Sequence, residues 1–178
     1  EPIKKAESPY GNTKQIGEEI IKDLVNSNPN FKAISLRYFN PIGAHNSALI
    51  GELPIGVPQN LVPFITQTSI GLRKELTVFG NNYPTRDGSC VRDYIHVVDL
   101  AKAHIKSLDK LISNKDKSYY DTFNIGTGKG TSVLELIKCF ITRKNPQLTK
   151  ETARTSSQNN HYNNEKIIKQ IGFKFKTI

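Results

Sequence analysis

The chain has 178 residues, 37% of them apolar, and carries 25 lysines and arginines against 16 aspartates and glutamates, a formal charge of +9. That is enough apolar residue to build a core and too much for a disordered chain, while no apolar run reaches membrane-spanning length. The charge suits an anionic partner, but Lys22, Lys102, Lys106, Lys110, Lys115 and Lys117 are scattered, without the basic stripe and interleaved aromatics of nucleic-acid binding, so a solvated surface is the expectation.

Glu1 to Lys5 contain no methionine and no leader pattern, so the sequence reads as one that starts mid-protein. Ser8-Pro9 places a capping hydroxyl before a proline at the first helical position, and Ile16, Ile20 and Leu24 follow at helical spacing until Asn28-Pro29. Lys32 to Phe39 is short, rich in strand formers and bounded by turn residues, so it reads as a strand. From Asn40 to Gln59, repeated glycines and prolines forbid a long regular element. Leu61 to Arg73 reads as a helix, Leu76 to Phe79 as a short strand, Val91 to His96 as another, and Val98 to Leu111 as a helix. Thr122 to Ile125 reads as a strand, followed by Gly126-Thr127-Gly128-Lys129-Gly130 and a helix whose Ser132 and Glu135 have capping-box spacing. The polar stretch 145–164 has no periodicity to place it, and a last short helix is expected from Glu165 to Ile171, stopped by Gly172. Helices alternating with strands predict an α/β fold.

The glycine run invites a phosphate-binding reading, but G-x-G-x-G lacks the dinucleotide spacing and Phe123 stands where a P-loop needs glycine, so a structural strand-to-helix turn is expected. His45, His96, His104 and His161 share no metal-ligand spacing, and no metal site is expected. Cys90 and Cys139 form neither a C-x-x-C nor a disulfide framework, which fits a reducing, cytoplasmic setting. Tyr10 and Lys14 form a Y-x-x-x-K that puts a phenol and an ammonium on one helix face, one turn apart. A neighbouring cation favours a phenolate, the form that acts as a general base. The spacing alone is weak, because Tyr162 and Lys166 repeat it.

Longer motifs carry more. S-P-Y-G-N-T-K at 8–14, L-R-Y-F-N-P-I-G-A-H at 36–45, G-V-P-Q-N-L-V-P at 56–63, L-T-V-F-G-N-N-Y at 76–83 and D-G-S-C-V-R-D-Y-I-H-V-V-D-L-A at 87–101 follow in series, with F-N-I-G-T-G-K-G at 123–130. From about residue 6 to 140 this series resembles the UDP-glucose 4-epimerases, members of the extended short-chain dehydrogenases/reductases.

The resemblance implies the back part of a Rossmann-like, doubly wound sheet together with a small mixed α/β substrate-binding domain. Residues 1–40 would close the NAD-binding domain, and 41–178 would form mainly the nucleotide-sugar domain, with some segments returning to the Rossmann sheet. Tyr10 would be the base, Lys14 would hold the nicotinamide ribose, and Phe39 would border the nicotinamide of NAD. Asn40, Asn60, Leu61, Thr77, Val78, Phe79 and Arg92 would bind UDP-glucose or UDP-galactose, with Arg92 on a phosphate and Arg154 on the ribose or phosphate. The bland readings make Phe39 and Phe79 core aromatics, Asn40 and Asn60 turn formers, and Arg92 an ion-pair partner of Asp93 or Asp99. A homodimer is implied for the full-length protein. The chain departs from the family at Arg154-Thr155-Ser156-Ser157, where an R-x-G-D segment keeps only its arginine. It also lacks the glycine-rich first turn, so these residues alone are expected to lack turnover. A related dehydratase or decarboxylase, or a non-catalytic remnant, is the alternative.

Overall fold

A computed structural model describes residues 5–144, so Arg154, His161, the segment 145–164 and the helix expected at 165–171 lie outside the described residues. The first helix, α1 (Pro9–Ser27), begins where proline and cap predict: the Ser8 Oγ accepts the Gly11 N–H at 3.0 Å. It leads into β1 (Lys32–Tyr38), and the chain passes through Phe39 into the three-residue strand β2 (Asn40–Ile42). Helix α2 (Leu61–Ser69) follows, then β3 (Val91–His96), α3 (Val97–Ser113), β4 (Tyr119–Ile125), β5 (Gly130–Ser132) and α4 (Val133–Lys144).

Two small sheets result. In one, β1 and β4 run parallel, with Leu36 beside Phe123 and Tyr38 beside Ile125. In the other, β3 lies between β2, parallel to it, and β5, antiparallel to it. Alternation along β1 places a helix on each face. Ile34 and Leu36 pack with Leu100, Ala103, Phe123 and Ile125 on the α3 side. Arg37 points the other way, and its guanidinium grips Glu18 of α1 through two bonds of 2.7 Å. A second core joins the sheet of β3 to α2 and α4 through Ile65, Leu76, Val78, Tyr94, Leu136 and Ile137.

Three expectations need correction. Residues 76–79 form no strand among the described residues: Leu76 and Val78 are buried in the second core, but no ladder partner lies alongside. The helix expected to reach Arg73 ends at Ser69, because Gly71 takes a left-handed φ of 80° and the Leu72 and Gly71 N–H groups close back on the Gln67 and Thr68 carbonyls. The strand expected from Thr122 begins at Tyr119, where β1 offers Lys32 as a partner.

The capping box is present. The Ser132 N–H donates to Glu135 Oε2 at 2.9 Å and the Glu135 N–H to Ser132 Oγ at 3.0 Å. Arg86 adds a bidentate pair to Glu135 and reaches the Gly130 carbonyl, while Asp87 accepts from Ser132 and from Ser89, so the loop 80–89 is tied to the start of α4. The Arg86 side chain, then the Ser132 N–H, holds the Glu135 carboxyl at about 2, against an ordinary 4.5. A depressed carboxyl stabilises the fold fully above its unfolded value and loses that contribution as pH falls. Thermal unfolding should therefore show a loss of stability between about pH 4.5 and pH 2 that Glu135→Gln reduces; a Glu135→Gln curve parallel to the wild type would contradict this assignment.

Candidate active site

The parallel strands β1 and β4 end side by side at Tyr38 and Ile125, and in open α/β sheets the crevice beyond the carboxyl ends of the strands is where ligands bind. Beyond Tyr38 the chain changes partner. The Phe39 N–H still donates to the Ile125 carbonyl at 3.3 Å, and one residue on, Asn40 pairs in register with Tyr94. Phe39 and Asn40 thus stand at the point where the backbone leaves one sheet for the other. The chain runs through α1 and back along β1, so the N-terminal turn of α1 projects past the Arg37–Glu18 pair toward this same end. There Tyr10 is 73% exposed, with the Lys14 ammonium over its ring at 5.1 Å.

A cavity of about 510 Å³ opens beside Asn40 and takes in Asn60 and Leu61, with His45, Glu52 and Val98 among its other walls. Asn60 stands at the N-cap of α2 yet makes no capping bond; its Nδ2 donates instead to Glu52 Oε1 at 2.9 Å. This is a side chain held in a pocket rather than a turn former. The cavity floor depends on Gly43, whose φ is 86° and whose absent Cβ would fall 2.7 Å from His96 Nε2. His96 is fixed in turn, because its Nδ1 accepts the Val98 N–H at 3.2 Å and caps α3.

Of the other residues singled out in the sequence, Leu61 packs against the core that contains Val78 and Tyr94. Val78 is buried there, as a core residue would be, whereas Thr77 is half-buried and Phe79 is 62% exposed and so not a core aromatic. Arg92 is half-buried on β3, beside Thr131 in register, and its Nη1 donates to the Val91 carbonyl at 3.0 Å. The 510 Å³ cavity therefore unites Asn40, Asn60 and Leu61, but not Tyr10, Lys14, Phe39, Thr77, Val78, Phe79 or Arg92.

Two residues were not assigned a role in the sequence. Glu52 lies in the glycine- and proline-rich stretch from Asn40 to Gln59, and its link to Asn60 spans a loop without periodicity. Asp93 was weighed only as a partner of Arg92, but it is 1% exposed and takes the Thr127 N–H at 3.0 Å, the Thr127 hydroxyl at 2.6 Å and the Gly128 N–H at 2.9 Å. The glycine turn therefore offers these N–H groups to the protein's own carboxylate, not to a phosphate, in accord with the structural-turn reading.

Residues 1–126 match the family model described as the NAD-dependent epimerase/dehydratase family. The chain belongs to that family. It is similar to UDP-glucose 4-epimerase 1 of Oryza sativa subsp. japonica, 55% identical over 135 residues, which are 76% of this chain and 38% of the relative. The UDP-glucose 4-epimerase of Erwinia amylovora is 52% identical over 139 residues, 78% of this chain and 40% of the relative. Among solved structures, the UDP-glucose 4-epimerase of Stenotrophomonas maltophila, crystallised with NAD and formylated UDP-arabinopyranose, superposes with a TM-score of 0.88 at 42% identity, covering 98% of this chain and 52% of that one. That of Bifidobacterium longum, with NAD+ and UDP, gives 0.88 at 39%, covering 99% and 52%. A dTDP-glucose 4,6-dehydratase from Bacillus anthracis at 22% identity shares the fold alone. The fold is thus the expected α/β arrangement of this epimerase/dehydratase family, and the chain spans about two-fifths of the length of the curated relatives it matches.

In this family member the cavity floor rests on a glycine with no room for a side chain. Gly43→Ala should destabilise the chain by about 1–3 kcal/mol, from the left-handed backbone and the displaced His96 ring. Gly17→Ala in α1, where nothing lies within 4 Å of a new Cβ, should stabilise it by about 0.5–1 kcal/mol. Denaturant unfolding of both variants checks this, and an unaffected Gly43→Ala would mean that the turn is free to rearrange.

Proposed function

We propose that this chain is the substrate-binding and acid–base portion of a UDP-glucose 4-epimerase, which interconverts UDP-glucose and UDP-galactose. The observation that carries the reading is the Lys14 ammonium over the Tyr10 ring on α1, in a chain whose Asn40, just past the end of the parallel strands, lines a cavity together with Asn60 and Leu61. The similarity to UDP-glucose 4-epimerases at 50% identity or more, from plants to bacteria, supports it.

In this reading the Tyr10 phenol removes the proton of the sugar 4-hydroxyl and later returns it. The Lys14 ammonium lies over the phenol ring, 5.1 Å from its centroid. Asn40 and Asn60 present amides to the sugar nucleotide, Thr77, Val78 and Phe79 flank it, and Arg92 offers a planar fork to a phosphate. Arg154 completes the ribose and phosphate contacts. NAD, when bound, takes up and gives back hydride at C4. Tyr10 and Lys14, both exposed on the first turns of α1, would face the nicotinamide end of that cofactor. The described residues do not house its pyrophosphate, because the N–H groups of the one glycine turn after a strand are taken by Asp93.

The remaining surface fits a chain joined to a further α/β portion. Ile16, Ile20 and Leu24 form an exposed stripe on α1, and Ile105, Leu108 and Ile112 another on α3. Both helices already sandwich β1, so residues 1–40 read as the end of a nucleotide-binding domain, and 41–178 as mainly the sugar-nucleotide domain. In the whole protein the front portion and a second copy of the chain, as a homodimer, cover these stripes. No described helix is long and apolar enough to cross a membrane. Neither Cys90 nor Cys139 is in a disulfide, in keeping with a cytoplasmic enzyme.

A pair of variants of the whole protein separates chemistry from binding. Tyr10→Phe should lower turnover by about 10²–10⁴-fold and leave UDP affinity unchanged, because the phenol acts only on the proton in flight. Arg92→Ala should weaken UDP binding about tenfold to a hundredfold, with Arg92→Lys recovering part of it. Turnover assays beside calorimetric titration of UDP decide the matter. Wild-type turnover in Tyr10→Phe would remove the acid–base role, and unchanged affinity with a lower melting temperature in Arg92→Ala would make Arg92 a structural residue.

A further inference from the structure

We infer that Asp93 and Gly126 are positioning residues, which hold the Phe39 ring as a fixed wall of the nicotinamide side of the site; the inference rests on the epimerase reading above. Asp93 on β3 is 1% exposed, and an ion in such a place persists only when its oxygens are well supplied with donors. The supply is local to one turn. Oδ1 takes the Thr127 N–H and hydroxyl, and Oδ2 takes the Gly128 N–H at 2.9 Å. Asp93 therefore clamps the turn that follows β4 onto the neighbouring sheet.

The clamp fixes Gly126, which is buried and carries no side chain. A Cβ built there would lie 2.5 Å from Asp93 Oδ2 and 2.6 and 2.8 Å from two carbons of the Phe39 ring. Carboxylate and ring thus border the same empty position. The backbone at Gly126 is not in the left-handed region, so the need for glycine is steric rather than conformational. With the Phe39 N–H also tied to the Ile125 carbonyl, the residue is fixed by its backbone while its ring abuts the clamped turn. Any bulk at Gly126 must therefore displace the ring.

Variants of the whole protein test this by kinetics, ring resonances and amide exchange. Gly126→Ala should lower kcat about tenfold to a hundredfold, the scale of a displaced reaction geometry. It should leave KM for UDP-glucose near the wild-type value and shift the Phe39 ring resonances. Asp93→Asn should speed amide exchange at Thr127 and Gly128 well above the molecule's average change, a readout independent of turnover. With an active wild type, a Gly126→Ala protein that keeps kcat overturns the positioning role. So does Asp93→Asn with unchanged exchange at both amides. A wild-type protein without UDP-glucose turnover instead removes the epimerase reading and the role of Phe39 with it, whatever the amide exchange shows.

Discussion

The arrangement hangs on one buried charge. Asp93 sits in the interior of the protein at the middle of three strands, and the donors that satisfy it come from the turn leaving the other sheet. A charged acceptor with three donors is worth far more intact than with one donor removed, because the remaining oxygens would then be buried without partners. Through that tie the ends of β1 and β4 are held against β3, and the crevice between them has fixed walls. The Arg37–Glu18 pair does the corresponding work for α1, anchoring the helix that presents Tyr10 and Lys14.

Much of this was legible from local chemistry. Ser8-Pro9 marks the start of α1, Gly71 marks the end of α2 through its left-handed φ, and Ser132 with Glu135 marks α4 through reciprocal hydrogen bonds. These signals act within a few residues, where sequence spacing and spatial neighbourhood coincide. The Gly71 signal was present and overlooked: the apolar pattern continues through Leu72, and helical periodicity outweighed the glycine.

What stayed hidden depends on partners distant along the chain. β2 and β5 have three residues each, too few to show alternation, and exist because β3 lies between them. Leu76 to Phe79 has strand-forming residues, but a strand needs a ladder and none is beside it among the described residues. The same holds for the site. The Y-x-x-x-K spacing located Tyr10 and Lys14, and the resemblance supplied Asn40 and Asn60, whereas the Glu52–Asn60 bond and the Asp93 clamp on residues 127 and 128 have no sequence spacing of their own. The glycine run was correctly kept apart from phosphate binding, but the reason became visible only when its N–H groups were found on Asp93.

The central claim is that these residues supply the proton chemistry and sugar-nucleotide contacts of an epimerase once a nucleotide-binding portion stands in front of them. The most direct measurement replaces the matching segment of the Erwinia amylovora relative with residues 6–140 of this chain and follows UDP-galactose formed from UDP-glucose. The account predicts a folded chimaera that binds UDP and forms UDP-galactose. A folded chimaera that binds UDP and NAD yet forms none would contradict it, and would leave this chain a binding module without the chemistry of its relatives.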